Sequence, residues 1–125
     1  MKEQEEIIRH YLDGYNQFDI SKMVADLDEH IVFRNSSNGE ITLELQGLEA
    51  FRQQAEQATA YFLSRTQTIT ALVCQENRVE VQINYHAVLA IDLPNGLKKG
   101  DELSLQGISI FEFAGNKICK LTDIS

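Results

Sequence analysis

The sequence holds a single proline, Pro94, only two cysteines, and few basic side chains, with 11 lysines and arginines against 19 aspartates and glutamates. Each shortage excludes something. One proline and seven glycines among 125 residues rule out a collagen-like or low-complexity chain. A net charge of −8 and a pI of about 4.8 oppose a phosphate backbone or an anionic membrane, so neither nucleic acid nor membrane is an expected partner. Cys74 and Cys119 lie far apart without CxxC spacing and are read as reduced thiols. The opening MKEQEEIIRHY carries acids where a signal peptide carries a basic region and an apolar run. No stretch approaches the ~18 apolar residues of a membrane span. What is there, 43% hydrophobic and 24% charged, suits one cytoplasmic domain over residues 1–125 with a single core.

Periodicity divides the chain into helices first and strands later. From Glu3 to about Phe18, Ile8, Tyr11, Leu12 and Tyr15 share one helical face. Asp19 is placed to cap a short second helix containing Ile20, Met23, Val24 and Leu27. Ile31 to Phe33 begin a strand that stops at Asn35-Ser36-Ser37-Asn38-Gly39, and Ile41, Leu43 and Leu45 complete a hairpin. Leu48, Phe51, Ala55, Ala58 and Phe62 recur at helical spacing over about four turns. Beyond Arg65 the period becomes two: Ile69, Ala71 and Val73 share a face, and after a turn at Gln75 to Asn77 the odd positions from Val79 to Ile91 share another. Strands from Arg78 to Asp92, Gly100 to Ala114 and Lys117 to Ile124 follow, separated by Pro94-Asn95-Gly96 and Gly115-Asn116. Gly107 inside the second of these marks a bulge or sharp bend. The order α-α-β-β-α-β-β-β-β predicts an α+β domain in which long antiparallel strands curl over helices as a cone open at one end.

This order, joined to Tyr11 on the first helix, Asn16-Gln17-Phe18-Asp19-Ile20 at the helix junction and the strand at Ile31 to Asn35, resembles the nuclear transport factor 2-like superfamily. More narrowly it is similar to the branch of SnoaL-like polyketide cyclases and steroid Δ-isomerases. The resemblance covers nearly the whole chain and implies a cystatin-like roll. Steroid isomerases use a first-helix tyrosine as donor, an aspartate base after the first strand and a protonated aspartate on a later strand. By position these fall on Tyr11, Asn35 and Ser109, and asparagine cannot take a proton at neutral pH. The SnoaL-like cyclases imply an acid/base aspartate on the last strand, where Asp123 stands. Epoxide hydrolases of this fold need an Asp-Arg-Asp set on inner strand faces, and no arginine is expected at a suitable alternating position on the long strands.

Alternation on the last strand places Cys119, Leu121 and Asp123 on one face and Ile118, Lys120, Thr122 and Ile124 on the other. An inward Asp123 carboxylate among apolar groups would be pushed toward a useful acid/base range. A solvated strand end is the alternative. Asn35 either faces the interior or starts the turn through its own side chain. The expected ligand is a small, mostly apolar molecule carrying a polar oxygen, in a pocket lined by Tyr11, Tyr15, Phe33, Asn35, Phe62, Tyr85, Ser109, Phe111 and Asp123. Asp123, Tyr11 and Asn35 would do any chemistry. His10, His30 and His86 have no ligand spacing and glycine-rich phosphate loops are absent, so no metal or cofactor is expected. Val88, Ala90, Ile108 and Ile110 on the outer sheet face would form a homodimer contact. A non-catalytic binding or dimerisation module is the alternative from another class.

Overall fold

The computed structural model describes residues 2–125. Two helices, α1 (Lys2–Asn16) and α2 (Ile20–Val24), precede the hairpin of β1 (Leu27–Ser37) and β2 (Glu40–Gln46). A third helix, α3 (Leu48–Ala58), ends in a 3₁₀ turn at Thr59–Tyr61, and β3 (Phe62–Gln75), β4 (Arg78–Leu89), β5 (Glu102–Ala114) and β6 (Lys117–Ile124) complete the chain. The six strands form one curved, unclosed sheet in the order β2-β1-β6-β5-β4-β3. The α+β class and the element order agree with the sequence reading. Among the described residues no helix is long and apolar enough to cross a membrane.

The amphipathic face of α1 lands Ile8, Tyr11 and Leu12 in the core, against Val79, Val81, Phe111 and Leu121 of the sheet. Each such side chain contributes roughly 1.5–3 kcal/mol when fully buried. The helix stops at Asn16 rather than Phe18 because Phe18 takes a left-handed turn with φ 59°, a conformation that costs a bulky residue energy. The junction is held from two sides. Asn16 Nδ2 donates to the Gln67 carbonyl at 3.2 Å and its Oδ1 accepts the Gln67 N–H at 2.8 Å, so one side chain satisfies both backbone groups of an edge-strand residue. Asp19 caps α2 as expected, its carboxylate accepting the Lys22 N–H at 3.1 Å.

The second helix stops at Val24, so Leu27 opens β1 instead of belonging to that helix. Five further boundaries or faces differ from the sequence expectation. The third helix ends at Ala58, so Phe62 opens β3 opposite Leu89 instead of closing a fourth helical turn. A register shift between Ile69 and Ala71 moves the inward face of β3 to Leu72, and Val73 ends 54% exposed. A second shift between Glu112 and Phe113 does the same on β6, so Ile118, not Cys119, is buried with Leu121. β4 ends at Leu89, leaving Ile91 beyond the ladder. Gly107 sits in unbroken β4–β5 register opposite Ile83. Its role is close approach, since a Cβ there would lie 2.9 Å from the Ile124 carbonyl oxygen. The sheet is also mixed. β1 pairs parallel with β6, Asn35 opposite Asp123, and the hairpin turn at Asn38 and Gly39 has φ 53° and 82°.

Candidate active site inside the curved sheet

Three neighbouring strands bring one residue each to the same inner spot. Asn35 of β1 pairs with Asp123 of β6, and Asp123 pairs with Ser109 of β5. Asn35 therefore lies within β1, past where a turn beginning at that residue would have ended it, and its Nδ2 donates to Thr42 Oγ1 at 3.0 Å. Ser109 is buried and its hydroxyl donates to Asp123 Oδ1 at 2.7 Å. Burial pushes the Asp123 carboxyl from an ordinary 3.8 up to about 6, while the Ser109 hydrogen bond, which favours the charged form, pulls the other way.

Two cavities meet at this carboxyl. The smaller, of about 190 Å³, lies under α1 and α3 and is lined by Tyr11, Phe33, Phe51 and Arg65 among others. The larger, of about 330 Å³, opens past Tyr85, Leu105, Gly107 and Ser109. Tyr15, Asn35 and Asp123 border both. A depression of about 510 Å³ lined by Gln82, Asn84, Gln106 and Ile108 holds no acidic, basic or histidine side chain and offers no proton chemistry.

Tyr11 is buried, its ring 5.8 Å edge-on from Phe111 and 6.4 Å from Phe51. Burial first and the Asp123 charge second push its phenol well above the ordinary value, so the hydroxyl remains a donor. It makes no hydrogen bond to the described residues. Burial likewise raises Tyr15, whose hydroxyl donates to Tyr85 Oη at 3.1 Å and leaves the Tyr85 hydrogen free.

Of the residues expected from sequence, Tyr11, Tyr15, Phe33, Asn35, Tyr85, Ser109 and Asp123 border these two cavities. Phe62 and Phe111 line neither. Phe111 is fully buried beneath Tyr11, and Phe62 stacks edge-on behind Tyr85 at 6.4 Å. Arg65 departs from the sequence expectation of no inward arginine on the long strands: it faces inward on β3 and is only 3% exposed. Its Nε donates to the Tyr15 carbonyl at 2.8 Å, giving the end of α1 the cation its own last turn lacks. Its guanidinium carbon lies 3.7 Å from the Tyr15 ring centroid and 4.6 Å from that of Phe18. The signal was present, since Arg65 shares odd parity with Gln67 and Ile69.

Comparison with known proteins agrees with this architecture. The SnoaL-like domain model matches residues 8–121. A protein assigned as a polyketide cyclase from Xanthomonas campestris pv. campestris superposes with a TM-score of 0.83 at 17% identity, over 99% of this chain and 90% of that one. A protein of ketosteroid isomerase-like fold from Catenulispora acidiphila gives 0.78 at 13% identity over 94% and 83%. A cystatin-fold protein from Novosphingobium aromaticivorans gives 0.75 at 15% identity over 98% and 97%. Similarity at these identities establishes the fold. No curated protein sequence matches the chain.

Proposed function

The chain belongs to the SnoaL-like domain family, and from that premise we propose that its interior moves a proton beside the carbonyl of a small, mostly apolar molecule, as an isomerase or cyclase does. One observation carries the reading: a half-buried carboxyl pushed up to about 6 borders the same cavity as a buried tyrosine whose hydroxyl makes no hydrogen bond to the described residues. A carboxyl in that range is largely ionised at neutral pH yet returns a proton readily.

Asp123 takes the proton from the carbon next to the carbonyl, and the electron pair moves onto the carbonyl oxygen. Tyr11 donates a hydrogen bond to that oxygen as its charge develops. The protonated Asp123 then returns its proton to a different carbon, which isomerises the substrate. In a cyclase the enolate carbon instead attacks a second carbonyl of the same molecule, and Asp123 protonates the new alkoxide. Asn35 borders the site as an amide and orients a polar ligand atom. No step requires a metal or cofactor.

Turnover of Asp123→Asn on panels of cyclic ketones and polyketide-like substrates tests the reading. The expected loss is about 10²–10⁴-fold with the fold retained. Equal turnover by both proteins would remove Asp123 from the chemistry, and turnover by neither would support a binding module. We also propose a homodimer through the outer sheet face, where Val88, Ile108 and Ile110, with Ala90 just past the end of β4, are half-buried. A monomer in sedimentation at micromolar concentration would contradict it. A cytoplasmic site of action rests on the acidic composition and the free thiols of Cys74 and Cys119.

A further inference from the structure

We propose that the ligand is an anion, a carbonyl compound that also carries a carboxylate, and that Arg65 holds the carboxylate while Asp123 works on the carbon beside the carbonyl. The second half rests on the acid/base reading above; the first does not. Arg65 is 3% exposed and lines the smaller cavity. Its Nε serves the Tyr15 carbonyl, but Nη2 is buried without a hydrogen-bond partner among the described residues. Arg65 also takes part in none of the ion pairs between described residues. A buried guanidinium with an idle N–H edge is costly, and folded proteins rarely keep one without a partner.

Charge and shape choose the partner. The rings of Tyr15 and Phe18 lie 3.7 and 4.6 Å from the guanidinium carbon, which leaves the N–H edge for an incoming anion, and Nη2, closed to solvent in this structure, meets it once a small side-chain movement opens it to the cavity. That edge matches the two oxygens of a carboxylate. A phosphate would bring close to two negative charges into a cavity that Asp123 also borders and that holds one arginine, so a single negative charge fits better. With its carboxylate at Arg65, a molecule can set its carbonyl beside Tyr11 and Asp123, which border the same cavity, and extend its apolar part past Tyr85 and Leu105 in the larger one.

Calorimetric titration of the full chain with benzoate and with its neutral isostere benzamide tests this without any turnover. Benzoate is expected to bind at least about tenfold more tightly, as a charge-assisted bond to a buried cation implies. Arg65→Gln should erase that preference and Asp123→Asn should keep it. If Arg65→Gln does not fold, the Arg65 Nε resonance of the parent protein, followed by nitrogen NMR, should shift with benzoate and stay still with benzamide. Equal affinity for the two probes, no measurable binding of either, a preference that survives Arg65→Gln, or an Arg65 resonance indifferent to benzoate would each overturn the proposal. Loss of turnover in Asp123→Asn without any anion preference would leave the acid/base reading standing and remove only the carboxylate.

Discussion

Asp123 and Arg65 line one cavity, yet the protein treats them oppositely. Asp123 has Ser109 as a dedicated donor and can relieve the cost of burial by taking up a proton. Arg65 is more deeply buried, has among the described residues a helix-end carbonyl and two aromatic rings as its partners, and a guanidinium has no neutral form to retreat to. The acid is therefore an adjustable group and the cation a fixed one. Adjustable groups suit proton transfer; fixed ones suit holding a ligand.

The largest effect that could break this comparison is on rate. Tyr11→Phe keeps the ring packed against Phe51 and Phe111 but removes the donor, and should lower turnover by about 10²–10³-fold. Turnover unchanged in kinetic assays would mean that the Asp123 end works without an oxygen donor.

Next comes the pH dependence of stability. Because the folded Asp123 carboxyl lies near 6 against an ordinary 3.8, the native state binds the extra proton between those values. Its contribution is intact below about 3.8 and is lost as pH rises through about 6, on the order of 2–3 kcal/mol in all. Denaturant melts at pH 4 and pH 8 should show this fall against the background of the other carboxylates, and Asp123→Asn should be more stable than the parent at pH 8. A parent and variant that track each other across the range would place the carboxyl in water.

Ser109→Ala should matter less, by on the order of 1 kcal/mol. Losing its hydrogen bond removes the one influence holding the carboxyl down, so the acid limb of a pH–rate profile should move upward. A downward move would contradict the assigned direction of the bond. The smallest effect is expected at the cation end. Arg65→Met gives up the Tyr15 carbonyl bond and the ring contacts but relieves a buried charge, and the two should cancel to within about 1 kcal/mol of unfolding free energy. A loss above about 2 kcal/mol would make Arg65 a structural strut and blunt the comparison.

Much of this arrangement could be read from sequence, and the failures have local causes. β4 was the clearest element because Val79, Val81, Ile83, Ala87 and Leu89 alternate without interruption and all five are buried. One extra residue inverts the faces on one side of a register shift and leaves no compositional mark: on β3 the residues after Ile69 change face, and on β6 Ile118 takes the inward place that alternation gives to Cys119, while Leu121 and Asp123 keep the face expected of them. Asp123 stands out in the sequence because the other acids mostly occupy turns and solvated helix faces. Arg65 is hard to read from sequence because a charged residue among Ser64, Thr66 and Thr68 looks like solvent-facing strand. Nothing in the residues announces that β1 will pair in parallel with β6, for the partners are far apart in sequence.

That parallel seam also sets the order of events in folding. β6 is the last strand made and stands third in the sheet, joining the β1–β2 hairpin to the β3–β4–β5 meander, and Lys117 Nζ donates to the Ala25 carbonyl across 92 positions of chain. Hairpin and meander can each close locally and early; the seam pays a long loop closure and closes late. Destabilising substitutions along it, such as Leu121→Ala, should speed unfolding while leaving refolding nearly unchanged in stopped-flow chevrons. Because Asp123 rides on β6, the site does not exist in any partly folded form that lacks the seam.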